Sequence, residues 1–131
     1  MKVTETDFFL IDTSAWLEYL LNPFCEAKDY IDSDNNVLIT SVISLHEARK
    51  RLIKLKKTEQ EIDEAMEFIK ENSLILPVNQ HIAEKSVFDC IDYGLHTIDS
   101  IIYRTAQESE ARLITYDNDF DGLNDVLLFH K

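Results

Sequence analysis

The chain is poor in residues that interrupt or cross-link a fold. Its 131 residues include only two glycines and two prolines. So few breakers leave little room for long loops, flexible linkers or low-complexity tracts, and no repeat at a fixed period is visible. The two cysteines, Cys25 and Cys90, stand alone, with no CxxC pair and no histidine at ligand spacing. That argues against a disulfide framework and a zinc ribbon, and a reduced, cytoplasmic setting is the simplest expectation. No apolar run approaches the length of a membrane helix, so no membrane span is expected. The opening Met1-Lys2-Val3-Thr4-Glu5 lacks the basic and apolar regions of a signal peptide. Cationic residues are scarce too: 13 Lys and Arg stand against 25 Asp and Glu, a formal charge of −12. Such a balance opposes nucleic-acid binding at long range, because neutralisation of phosphates drives it.

What is present suits one domain spanning residues 1–131, long enough for a sizeable core. Hydrophobic residues make up 45% and charged residues 29%, as in an ordinary globular protein. The few cations are unevenly spread. Six of the 13 fall between Arg49 and Lys57, namely Arg49, Lys50, Arg51, Lys54, Lys56 and Lys57. A solvated helix face explains such a run. A patch for phosphates or an acidic partner, centred on Arg49, Lys50, Arg51 and Lys54, is the alternative.

Five short aliphatic runs read as strands. Phe8 to Ile11 has no polar alternation, as expected of a strand covered on both faces. Val37 to Thr40, Leu74 to Val78, Leu113 to Thr115 and Val126 to Phe129 follow, the third at an edge because of Pro77. Helical patterns lie between them. Thr13 or Ser14 caps a first helix carrying Ala15, Trp16, Tyr19 and Leu20. Asn22-Pro23 is expected to open a second, with Phe24, Ala27 and Ile31 inward. After Ser41, a stripe of Leu45, Ala48, Leu52 and Leu55 marks another. Thr58 to Glu61 is a capping box ahead of Ile62, Ala65, Met66 and Ile69. Asn79 caps a helix expected to turn Ala83, Val87, Cys90 and Ile91 inward, and Gly94 suits its left-handed end. Thr97 caps the last, with Ile98, Ile101, Ile102 and Ala106. Strands separated by helices require crossovers. The fold class is therefore α/β, a mostly parallel sheet with helices on both faces.

Five carboxylates stand out by position. Asp12 ends the first strand, Glu47 lies in the second turn of the helix after the second strand, Asp99 opens the last helix, and Asp117 and Asp119 follow the fourth strand. A parallel sheet brings all five to the C-terminal edge of its strands, where such sheets collect ligands. Each has a simpler explanation alone. Asp12 caps a helix; Asp99 favours a helix dipole; Asp117 and Asp119 bond their own turn; Glu47 lies off the apolar stripe and faces water. Their convergence carries more weight. Two carboxylates roughly 5 Å apart at an effective dielectric of about 20 repel by about 3 kcal/mol. A cluster of them must take up protons or hold a cation. All-oxygen donors suit Mg²⁺ or Mn²⁺, and a carboxylate-held metal can cleave a phosphodiester.

The pieces Leu10-Ile11-Asp12-Thr13-Ser14, Ser44-Leu45-His46-Glu47-Ala48, Thr97-Ile98-Asp99-Ser100-Ile101-Ile102 and Leu113-Ile114-Thr115-Tyr116-Asp117-Asn118-Asp119-Phe120 occur in order along nearly the whole chain. In these pieces the sequence resembles the PIN-domain ribonucleases, particularly VapC-like toxins. The resemblance implies a three-layer α/β/α fold with a five-stranded parallel sheet in the order 3-2-1-4-5. It implies a metal-dependent endoribonuclease, using Mg²⁺ or Mn²⁺, that acts as the toxin of a toxin–antitoxin pair. By the same resemblance Asp12, Glu47, Asp99 and Asp117 are the acidic catalytic set, with the metal on Asp12, Asp99, Asp117 and Asp119. Ser14 and Thr115 support the site. An RNA substrate, a small antitoxin protein and a homodimer are the implied partners. Two rivals remain. One is a PIN-like module that binds a protein and cleaves weakly or not at all. The other is a phosphoryl-accepting receiver, which also gathers acids at strand ends.

Overall fold

A computed structural model describes residues 6–131; Met1–Glu5, where no signal sequence was expected, lie outside the described residues. Five parallel strands form one sheet in the order β3-β2-β1-β4-β5. They are β1 (Asp7–Ile11), β2 (Asn36–Ser41), β3 (Leu74–Leu76), β4 (Arg112–Thr115) and β5 (Val126–Leu128). Helices α1 (Thr13–Leu21) and α2 (Lys28–Ile31) link β1 to β2, α3 (Val42–Lys54) and α4 (Glu59–Asn72) link β2 to β3, and α5 (Gln80–Tyr93) and α6 (Thr97–Glu108) link β3 to β4. The expected three-layer architecture and strand order are therefore present. The order also differs from the 2-1-3-4-5 of receiver-type sheets, which removes that rival.

Alternation along the strands splits the core in two. Phe9, Ile11, Leu38 and Ile114 face one layer and pack with Trp16, Ala48, Leu52, Ile62, Met66 and Ile69. Leu10, Ile39 and Leu113 face the other and pack with Leu95, Ile102, Tyr103, Ala106 and Phe120. Leu10, Ile11, Leu113 and Ile114 have no exposure to solvent at all. This explains why β1 and β4 read as unbroken apolar runs.

Several local expectations hold, and others shift. Thr58 and Glu61 form the capping box of α4. Gly94 ends α5 with φ of 70°, a left-handed turn that a side chain would strain. The cap of α1 is Asp12, not Thr13 or Ser14, and that of α6 is His96, not Thr97. Asn22-Pro23 does not open a helix. The Asn22 carboxamide oxygen accepts the Phe24 N–H, which makes a turn, and helix resumes only for the four residues from Lys28. Phe24 is accordingly 91% exposed rather than inward. In α3, Ala48 and Leu52 are buried, but Leu55, one residue past the helix, is exposed.

The largest correction concerns α5. Its buried residues are Ile82, Ser86 and Asp89, whereas Val87 and Ile91 face solvent. An ion pair occupies the inner face. Arg104 of α6 donates to both oxygens of Asp89, at 2.9 and 2.8 Å, so the helix side turned to α6 carries Asp89 instead of the apolar stripe.

Candidate metal centre

The sheet order reverses between β1 and β4, and the register there aligns Ile11 with Ile114. The next residue of each strand, Asp12 and Thr115, therefore also lie side by side. This reversal is the place where a parallel sheet opens a crevice beyond its strand ends. Asp12 is buried, with 4% of its surface exposed. Its Oδ2 accepts the hydroxyls of Ser14 at 2.9 Å and Thr115 at 2.8 Å. Those hydroxyls in turn accept backbone N–H groups, Ser14 from Tyr116 and Thr115 from Asp117. Both protons are thus aimed at Asp12, and the 3.2 Å approach of the two hydroxyl oxygens is a contact between neighbours sharing one acceptor. Burial raises Asp12 to a pKa of about 6 against these hydrogen bonds, which pull it down, and Glu47 adds repulsion.

Four other carboxylates approach. One oxygen each from Asp99, Asp117 and Asp119 lies within 4.8 Å of the other two. Asp99 stands in the first turn of α6. Asp117 accepts the Asp119 N–H at 2.9 Å, which fixes the turn after β4 and holds both acids near Asp99. Burial is the main reason that Asp99 is raised to about 7, followed by the charges of Asp117, Asp12, Glu47 and Asp119. All five acids singled out in the sequence therefore act on one locus. Asp12 and Glu47 stand outside the tightest trio but within electrostatic reach of it.

Glu47 corrects the reading from the helical wheel. It is half-buried, and its Oε1 accepts the Thr13 hydroxyl at 2.8 Å. Thr13 is the residue that sequence reasoning missed as part of the site. It was read as a cap, while the run of two hydroxyls after Asp12 was the available signal. Among the described residues, no Lys, Arg or His forms an ion pair with any of these five acids.

The donor set fits a hard divalent cation. It consists of carboxylate oxygens from three elements, close enough to repel strongly, with no thiolate or imidazole. His46 and His96 are exposed, and Cys25 and Cys90 are free thiols elsewhere.

Beyond Glu47 the surface changes sign. Ile43, His46, Glu47, Lys50, Arg51, Lys54 and Ile98 line a cleft of about 370 Å³. Arg49, the first residue of the basic run, does not line it; its guanidinium pairs with Asp63 of α4 at 3.1 Å.

Comparison with known proteins agrees with the fold. A toxin–antitoxin complex from Klebsiella pneumoniae contains a chain 28% identical, with a TM-score of 0.73 over 93% of this chain and 98% of that one. VapC20 of Mycobacterium tuberculosis, described as a sarcin–ricin-loop-cleaving toxin, is 16% identical, with a TM-score of 0.71 over 94% and 99%. VapBC-1 from nontypeable Haemophilus influenzae is 20% identical, with a TM-score of 0.69 over 94% and 97%. A sequence search of curated proteins returns no significant match. The family model of the PIN domain matches residues 9–125, which include every acid of the site, and the chain belongs to the PIN domain family.

Proposed function

We propose that the protein is a divalent-metal-dependent endoribonuclease, the toxin of a toxin–antitoxin pair. The observation that carries this reading is the meeting of Asp99, Asp117 and Asp119 beside Asp12 and Glu47 with, among the described residues, no cationic side chain paired to them. Asp12, Asp99, Asp117 and Asp119 would hold Mg²⁺ or Mn²⁺. A divalent ion bound there supplies Lewis acidity toward a phosphodiester and makes water acidic enough to attack it. The chain's own part is to orient and to exchange protons. Ser14 and Thr115 fix the Asp12 carboxylate, and Thr13 fixes Glu47, whose free oxygen can accept a proton from water. Without the ion, burial and then the neighbouring carboxylates raise Asp99 to about 7, and a bound cation would displace its proton.

Partner surfaces support the assignment. Leu20, Leu21, Leu52, Ala65 and Phe68 line a second cleft of about 360 Å³ with Lys57, Glu61 and Glu64 among its lining, suited to an amphipathic segment of a small antitoxin. Val87, Phe88 and Ile91, exposed by 50%, 55% and 73%, make an apolar face on α5 that suits a homodimer. Among the described residues, no helix is long and apolar enough to cross a membrane.

The test is cleavage of mixed RNA in Mn²⁺ by wild type, Asp12→Asn and Asp99→Asn. Loss of cleavage in both variants is expected. Cleavage surviving both substitutions removes the assignment. Absence of heat on Mn²⁺ titration would instead favour the non-cleaving interaction module.

A further inference from the structure

The acids of the site sit in a protein of charge −12, so an RNA substrate needs a local foothold. Among the described residues, the surroundings offer it in one direction only. No Lys or Arg occurs from Leu113 to His130, and beyond Asp119 that segment adds Asp121 and Asp125. Helix α1 has no cation either, and Arg104 of α6 is committed to Asp89. Helix α3 differs. Glu47 lies within electrostatic reach of the acidic locus, and Lys50, Arg51 and Lys54 continue along the same face. At 1.5 Å per residue, Glu47 to Lys54 spans about 10 Å. All three cations are exposed, and none forms an ion pair among the described residues.

We infer that the α3 cleft is a one-sided phosphate track: Lys50, Arg51 and Lys54 hold the single-stranded RNA flank on one side of the scissile bond, and the opposite flank is left unheld. This rests on the ribonuclease reading and adds to it a direction and a substrate requirement. The cleft is lined by Ile43, His46, Glu47, Ile98 and the three cations, with no Phe, Tyr or Trp. The His46 imidazole is the one flat ring in that lining, so the run of stacked bases that single-strand binders use has no platform there. The track recognises backbone charge and length, not base identity. Continuity with Glu47 favours an RNA flank over an acidic protein segment, since a strand leaving the acids enters the cleft directly.

Binding is measured by anisotropy of a labelled single-stranded RNA 12-mer, on an Asp99→Asn background so that the probe is not consumed. Each phosphate contact on a single strand contributes about 0.7 to the slope of log affinity against log salt. Replacing Lys50, Arg51 and Lys54 by Ala should lower affinity about tenfold and flatten that slope by about two. Lys85→Ala, on α5, should change neither. Two unrelated RNA sequences should respond alike. With wild type and Mn²⁺, oligonucleotides shortened on one side of the cut should lose cleavage, while those shortened on the other keep it. An unchanged slope in the triple variant overturns the track. So does equal dependence on both flanks, or a poly-glutamate peptide of matched length competing as well as RNA. Should wild type cut nothing while the binding result holds, the nuclease reading falls and the track stands.

Discussion

Two buried aspartates in this molecule have opposite surroundings. Asp89 is 1% exposed and Asp12 4%, so water helps neither. Asp89 receives both arms of the Arg104 guanidinium. Asp12 receives two neutral hydroxyls and lies near further carboxylates. A charge-assisted, bidentate partner completes the first within the chain. The second is left short of positive charge, in a crevice where an ion can enter. One pair joins α5 to α6; the other group holds folding energy back for a ligand. Substitutions at the two places should therefore separate stability from activity.

The largest effect is expected at the incomplete site. Asp99→Asn should reduce RNA cleavage by about a hundredfold or more, the loss of roughly 3 kcal/mol of stabilisation by a metal. The same change should raise the melting temperature in EDTA, because it removes first the cost of burying a charge and then the repulsion from Asp117 and Asp12. Melting curves with and without Mn²⁺ measure both parts. A variant that melts lower in EDTA and still cleaves would erase the distinction between the two aspartates.

Asp89→Ala should do the reverse. Breaking a buried pair leaves Arg104 with only the longer, 3.8 Å approach of Glu108, and with 25% exposure. The cost is about 2–4 kcal/mol of stability, read from urea unfolding. Cleavage per folded molecule and the Mn²⁺-induced rise in melting temperature should persist. If the metal response vanished while the fold survived, Asp89 would belong to the site.

The same contrast shows what a sequence can reveal. Asp12, Asp99 and Asp117 were legible because each ends or opens an element that a parallel sheet must bring to one edge. Strand order followed from the resemblance carried by those same pieces. The face of α5 was not legible. Apolar spacing favoured Val87 and Ile91, and only the three-dimensional position of Arg104 makes Asp89 the buried residue. The helical-wheel reading of Glu47 as a side chain in water failed for a related reason. Its partner Thr13 is 34 residues away, and a helical wheel contains no information about another helix. Asn22-Pro23 failed because the asparagine side chain bonded two residues ahead and made a turn, a choice local composition leaves open.

Thr13 offers a finer test. Its hydroxyl orients Glu47 without being a carboxylate itself. Thr13→Val should cost about tenfold in activity, the lower end for residues that support metal-site ligands. Thr13→Ser should restore it, and stability in EDTA should stay nearly unchanged. Failure of serine to rescue would assign the loss to packing instead of the hydrogen bond.

The smallest effect is in the pH dependence of the metal-free protein. Asp12 near 6 and Asp99 near 7 hold their protons more tightly when folded than the ordinary aspartate value of 3.8 allows. The folded state therefore binds more protons than the unfolded chain between about pH 4 and pH 7. Stability falls as pH rises through that window, opposite to the behaviour of salt-bridged acids. Asp32 and Glu61, whose pKa values are lowered, act in the other direction, but their titration ends by about pH 5. In EDTA, melting temperature should decline from pH 5 to pH 7.5, and less steeply in Asp99→Asn than in wild type. Taking that difference cancels the exposed histidines common to both. Saturating Mn²⁺ should flatten the wild-type decline, because the ion competes with protons for the same oxygens and wins as pH rises. Asp89→Ala should keep the full slope. An equal slope in Asp99→Asn would mean that the acids of the crevice do not set it.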